Sequence, residues 1–157
     1  MSLEFSITSN VGDVLAKIDS TTKDRMDKAT KAVREEAVKL LSRPGQGREY
    51  YVPDTRRKYR ASTPGNPPAK RTGTLMNHIK CSVQGEGDSL EGLVGSGEKY
   101  APALEYGSRH PRSVGLNRYG GEKVTMGSTS IAPRPWLRPA FEHSTEKIRE
   151  IFTAAWF

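Results

Sequence analysis

What this chain lacks narrows it first. Cys81 is its one cysteine, so neither an intrachain disulfide nor a cysteine-based zinc site is available. No stretch approaches the ~18 apolar residues that a membrane span requires, and the opening residues lack the basic start and apolar run of a signal peptide. The expectation is a protein made in the cytoplasm with no membrane partner. Apolar residues are scarce too: 34% hydrophobic content and a mean hydropathy of -0.67 are low for a compact monomer. The 15 Gly and 10 Pro call for long irregular connections, some of which should order only against neighbours. At 157 residues the whole chain, 1–157, is expected to be a single domain.

Catalysis needs converging groups, and none is visible. His78, His110 and His143 stand far apart without carboxylate or cysteine companions at ligand spacing, and each reads as a surface or packing residue. Gly92 and Gly97 have the separation of the outer glycines of a phosphate-binding loop, but Glu98-Lys99 follows where Lys-Ser or Lys-Thr is required. A carboxylate there repels phosphate, so the segment reads as the end of a strand. No enzyme activity, cofactor or metal is expected.

What the chain does have is charge in one place. Its formal net charge is +7, and residues 43–80 hold nine basic residues against Glu49 and Asp54, so the rest of the sequence is balanced. Arg56, Arg57, Lys58, Arg60, Lys70 and Arg71 are the centre of that excess. Confined basic charge suits contact with phosphate or with an acidic partner, while a solvated loop has the same composition. Tyr50, Tyr51 and Tyr59 interleave with the cations, as they do both in base-stacking surfaces and at protein interfaces.

Periodicity gives the organisation. Leu3, Phe5 and Ile7 alternate with polar residues as in a short strand. Asn10 is placed to cap a long helix whose stripe runs through Val11, Leu15, Ile18, Met26, Ala29, Val33, Ala37 and Leu40, ending at Arg43-Pro44-Gly45. Some 30 residues of helix span roughly 45 Å, so one end should project or pack on another subunit. Residues 43–71 read as a long basic loop. Pro64, Gly65, Pro67 and Pro68 make its last part a stiff extended strap, after which Thr72 is placed to cap a helical turn carrying Leu75. Ile79 to Gln84 and Leu90 to Val94 alternate as a hairpin with Cys81 on its apolar face. Tyr100 to Tyr106 forms a helical turn ended by Gly107. Residues 108–130 read as a Gly/Ser-rich loop, with Thr129 to Ala132 returning to the sheet. A last helix begins near Trp136 to Arg138, because Pro135 and Pro139 are tolerated only at a helix start. The fold class is α+β: a small antiparallel sheet packed by a long N-terminal helix and a C-terminal helix, mainly on one face, with long connecting loops.

Three segments carry a resemblance. Residues 64–75, PGNPPAKRTGTL, look like the PGxPPAxxTGxL element of the phage neck and tail-completion proteins of the HK-ninety-seven gene-product-ten type. YAPALEYG, residues 100–107, is similar to that family's YAxxxEFG element, and APRPWLRPA, residues 132–140, to its RPFLRPA element. The motif positions are Pro64, Gly65, Pro67, Pro68, Thr72, Gly73, Leu75, Tyr100, Glu105, Tyr106, Gly107, Pro135, Trp136, Arg138 and Pro139; Tyr106 and Trp136 stand where the family more often has Phe. The three matches span about half the chain.

The resemblance implies a structural virion protein at the head-to-tail connector, present as a homo-oligomeric ring of roughly six or twelve copies around the DNA path. Its implied partners are adjoining connector and tail proteins, with non-specific contact to passing DNA. The basic residues would then face the channel or dock on the next ring, and Trp136 and Tyr106 would lock the sheet to the last helix or to the next subunit. The alternative from the charge pattern alone is a small basic DNA-binding module acting through residues 43–71.

Overall fold

A computed structural model describes residues 10–52, 55–113 and 125–155. The expected strand at Leu3 to Ile7 lies outside the described residues. Helix α1, Val11–Ser42, is the 32-residue rod expected from the stripe. Asn10 occupies its N-cap position but makes no side-chain hydrogen bond there; the negative charge of Asp13 in the first turn is the favourable element at that end.

The stripe divides in two. Ala29, Val33, Ala37, Leu40 and Leu41 are buried, whereas Val11, Val14 and Leu15 are 62%, 46% and 56% exposed. The reason is length: helix α4, Leu137–Thr153, packs along α1 but has only 17 residues. Arg25 marks where it ends. Its buried guanidinium donates to the carbonyls of Phe152, Ala154 and Ala155, each at 2.8 Å, which satisfies carbonyls left open at the helix terminus.

Residues 43–71 are not one irregular loop. Strands β1, Glu49–Tyr51, and β2, Lys58–Arg60, pair antiparallel with Tyr50 opposite Tyr59. A four-residue helix α2, Thr74–Asn77, follows the strap. Its cap position belongs to Gly73 at φ 86° rather than to Thr72, whose hydroxyl instead accepts from the Thr74 N–H at 3.3 Å. Strands β3, Ile79–Gln84, and β4, Glu91–Ser96, form the expected hairpin, with Cys81 half-buried. Helix α3, Ala101–Tyr106, ends at Gly107 with φ 77°.

The two ends of the expected loop at 108–130 are strand rather than loop, and residues 114–124 of it lie outside the described residues. Strands β5, Ser108–Ser113, and β6, Thr125–Ile131, pair with each other, with a register irregularity between Pro111 and Arg112. Pro111 has no N–H to give the ladder, which is the physical reason to break register there. The return expected of Thr129 to Ala132 is thus made to β5, and among the described residues β6 is not paired with the β3–β4 hairpin. Among the described residues the sheet content is three separate two-stranded ladders.

The α+β class holds, but the layering differs from two helices on one sheet face. Both the β3–β4 hairpin and α4 pack on α1, and the hairpin and α4 diverge. The core lies where α1 meets the middle of the chain: Ala37, Leu40 and Leu41 against Leu75, Ile79, Ala101, Trp136 and Ala140. Across the helix pair, His143 and Lys39 flank Glu36. Burial pushes the Glu36 carboxyl up, and these two partners more than offset it, holding the group below its ordinary value.

Close approach of β4 to α1 depends on Gly92. A Cβ there would sit 2.4 Å from the Thr30 Cγ2 and 3.0 Å from the Met26 sulfur. Thr30 has little freedom to yield, since it is β-branched and its hydroxyl donates to the Asp27 carbonyl at 3.0 Å. Gly92→Ala is therefore expected to cost about 1–3 kcal/mol, read as a lower urea midpoint. Adding Thr30→Ser, which removes the obstructing methyl, should recover part of the loss.

Candidate functional site

The three segments singled out in the sequence meet at one place. Helix α4 begins at Trp136-Leu137-Arg138, where three backbone N–H groups have no partner within the helix. The Glu105 carboxylate, carried on α3, takes all three: one oxygen accepts from Trp136 N–H at 2.7 Å and Leu137 N–H at 3.0 Å, the other from Arg138 N–H at 3.0 Å. Negative charge at the positive end of the helix adds to the hydrogen bonds. The Arg134 N–H donates to the Leu104 carbonyl at 2.6 Å, and the Gly65 N–H of the strap donates to the Pro133 carbonyl at 2.8 Å. The Arg134 side chain reaches the Ser62 carbonyl at 3.4 Å.

Most of the motif residues then have a local reason. Pro64, Pro67 and Pro68 hold the strap extended, and Gly65 supplies φ 82° for its turn. Gly107 turns the chain out of α3; a Cβ there would meet the Ile131 carbonyl oxygen at 2.8 Å and Pro133 at 3.0 Å. Pro135 precedes α4 and Pro139 lies in its first turn, where a missing N–H costs nothing. Leu75 is buried in the core, and Trp136 is 2% exposed there. Arg138 points outward to Glu142 at 3.0 Å. Tyr106 is 81% exposed, so within its own chain it locks nothing.

The basic residues sit on three parts of the fold. Arg56 and Arg57 lie in the connection between β1 and β2, Lys58 and Arg60 on β2, and Lys70 and Arg71 at the end of the strap, all exposed. Three cations are ordered by tyrosines. The rings of Tyr50 and Tyr59 stack at 5.8 Å between centroids with planes 27° apart, Arg48 lies 5.8 Å from the Tyr50 ring, and Arg71 5.7 Å from the Tyr59 ring. Lys58 lies 5.1 Å from Tyr51. Guanidinium groups held over a ring face retain N–H donors for phosphate or carboxylate, whereas a nucleobase would have to displace a cation or part the two rings.

Two grooves flank the junction. One, about 640 Å³, lies between the β1–β2 hairpin, the strap, α2 and α3, and carries Tyr50, Tyr59, Tyr100, Lys70, Arg71 and Arg134. Burial, with Glu98 nearby, pushes the Tyr100 phenol above its ordinary value, so it stays a neutral hydroxyl. The other, about 660 Å³, is the gap left where β4 and α4 diverge over α1, with Met26, Val94, Phe141, Ile148 and Phe152 on its walls. Glu98, the residue that spoils the phosphate-loop pattern, pairs with His78. Among the described residues no group of His, Cys, Asp and Glu is arranged to hold a metal, and no helix is long and apolar enough to cross a membrane.

Glu105 and Arg134 are the residues that sequence reading undervalues. The signal for Glu105 is indirect: a helix opening on Trp136, with no Ser, Thr, Asp or Asn at the cap, must be capped from elsewhere. Compared with family models, with curated proteins and with solved structures, the chain shows no match.

Removing the Glu105 carboxylate isolates the cap. Glu105→Ala should cost about 2 kcal/mol of unfolding free energy, and Glu105→Gln, which keeps an acceptor without the charge, should cost less. Urea denaturation of the two variants beside the parent reads both.

Proposed function

We propose that this chain is a structural virion protein of a tailed phage, a neck or tail-completion subunit that joins head to tail as a ring around the DNA path. The resemblance of three ordered segments supports the family. The observation that carries the reading furthest is that those segments converge on one another, through Glu105, Arg134 and Gly65. They act as scaffold: the Glu105 carboxylate and the backbone groups of Gly65, Pro133 and Arg134 are consumed in holding α3, the strap and α4 together.

The unfinished surfaces fit a subunit that completes itself by assembly. An apolar helix end with Val11, Val14 and Leu15 exposed, two open grooves and an exposed Tyr106 are surfaces that cyclic neighbours would bury. In this reading the protein resides in the virion neck or tail after synthesis in the host cytoplasm. Arg56 and Arg57 at the hairpin end meet the DNA path or the adjoining ring.

One observation favours the second reading, a DNA-binding module using residues 43–71. The tyrosine-ordered cations of the β1–β2 hairpin offer donors suited to phosphate.

Light scattering of the purified chain, alone and with duplex DNA across a salt series, separates the two. The neck reading predicts a ring-sized mass at high protein concentration and DNA binding that is weak at physiological salt. Stoichiometric, salt-sensitive DNA binding by a monomer or dimer would overturn it in favour of the module.

A further inference from the structure

The charge of this molecule is complementary to itself. The groove beside the β1–β2 hairpin carries Lys70, Arg71 and Arg134, and among its described lining residues there is no carboxylate. Tyr50 and Tyr100, 44% and 43% exposed, give it apolar surface as well. The opposite composition sits on the β3–β4 turn. Gly85 and Gly87, at φ 88° and 54°, let the chain turn between the strands; Glu86 and Glu91 beside the turn are exposed, and Leu93, on the strand that follows, is 44% exposed.

These two surfaces cannot meet within one chain. Helix α2, on the groove wall, leads directly into β3 at Ile79, and the turn begins after the six residues of that strand. At ~3.3 Å per residue the separation is about 17–20 Å along the hairpin. Groove and turn lie at opposite ends of it.

We infer that the groove receives the β3–β4 turn of a second copy of this chain, with Glu86 and Glu91 meeting Lys70, Arg71 and Arg134, and Leu93 meeting the tyrosines. Because donor and acceptor surfaces differ, the contact is head-to-tail, and each copy that offers its turn keeps its groove open for the next. This deepens the assembly reading and rests on it. The basic residues then fall into two sets, with Lys70 and Arg71 acting between copies and Arg56 and Arg57 left for DNA or the adjoining ring. An apolar component and rings already engaged by cations favour a protein turn over a nucleic-acid strand as the occupant.

The experiment is sedimentation of the full chain in four forms: parent, a turn variant with Glu86→Lys and Glu91→Lys, a groove variant with Lys70→Glu and Arg71→Glu, and an equimolar mixture of the two variants. Each variant alone should associate at least about tenfold more weakly than the parent. The mixture should assemble again, since a basic turn then finds an acidic groove and an acidic turn finds a basic one. If the groove variant loses its circular-dichroism signature, Lys70→Gln with Arg71→Gln replaces it and should still weaken association. A parent that assembles while both variants assemble equally well, or a mixture that stays dissociated, overturns this contact and leaves the ring reading intact. A parent that remains monomeric at every concentration overturns both. Occupation of the groove by a free acidic peptide or by single-stranded DNA, with no effect of the turn variant on parent-like assembly, also overturns the inference.

Discussion

The Glu105 carboxylate at the start of α4 is the contact on which the rest of the body depends. A 17-residue helix has a positive and a negative end, and here both are served by residues distant in the chain: Glu105 at the first turn and the Arg25 guanidinium at the last. Between them the helix is pinned along α1, which brings Trp136 and Ala140 into the same core as Leu40 and Ile79. With the carboxylate removed, three backbone donors at a half-buried helix start would need new partners, and α3 would lose its side-chain hydrogen bonds to α4. The strap is fastened to the same point through the Pro133 carbonyl.

A junction of this kind makes a firm centre and leaves the periphery open. Because the hairpin and α4 each pack on α1 and diverge from one another, a groove remains between them. Because α1 outruns α4, its N-terminal stripe has no helix beside it among the described residues. Low apolar content is the sequence-level counterpart: it fills one small core and leaves apolar residues such as Val11, Leu15 and Phe141 exposed. On the proposed reading these open surfaces are the function, since a connector subunit is useful through its contacts.

The long periodic elements were legible in the sequence. The α1 stripe, the Ile79-to-Val94 alternation and the proline-marked start of α4 each repeat a local rule several times. The β1–β2 ladder was not legible, because three-residue strands repeat nothing and their Tyr50–Tyr59 pairing is visible only once register is known. Strands β5 and β6 were hidden because β5 contains Pro111 and β6 contains Gly127, both residue types that are depleted in strands. The junction could be seen only as a resemblance: its hydrogen bonds join residues 31 to 33 positions apart in the case of Glu105, and no local pattern encodes that. The basic residues stand out in the sequence by charge alone, and their division among hairpin end, strand and groove belongs to the fold.

Amide hydrogen exchange at Trp136, Leu137 and Arg138 tests the central claim most directly. First-turn amides of an uncapped helix exchange nearly as fast as those of a free peptide. If the Glu105 carboxylate holds the junction, these three should exchange only on the slow timescale of global unfolding, together with the middle of α4. Free-peptide rates at the three amides, with the rest of α4 protected, would contradict the account.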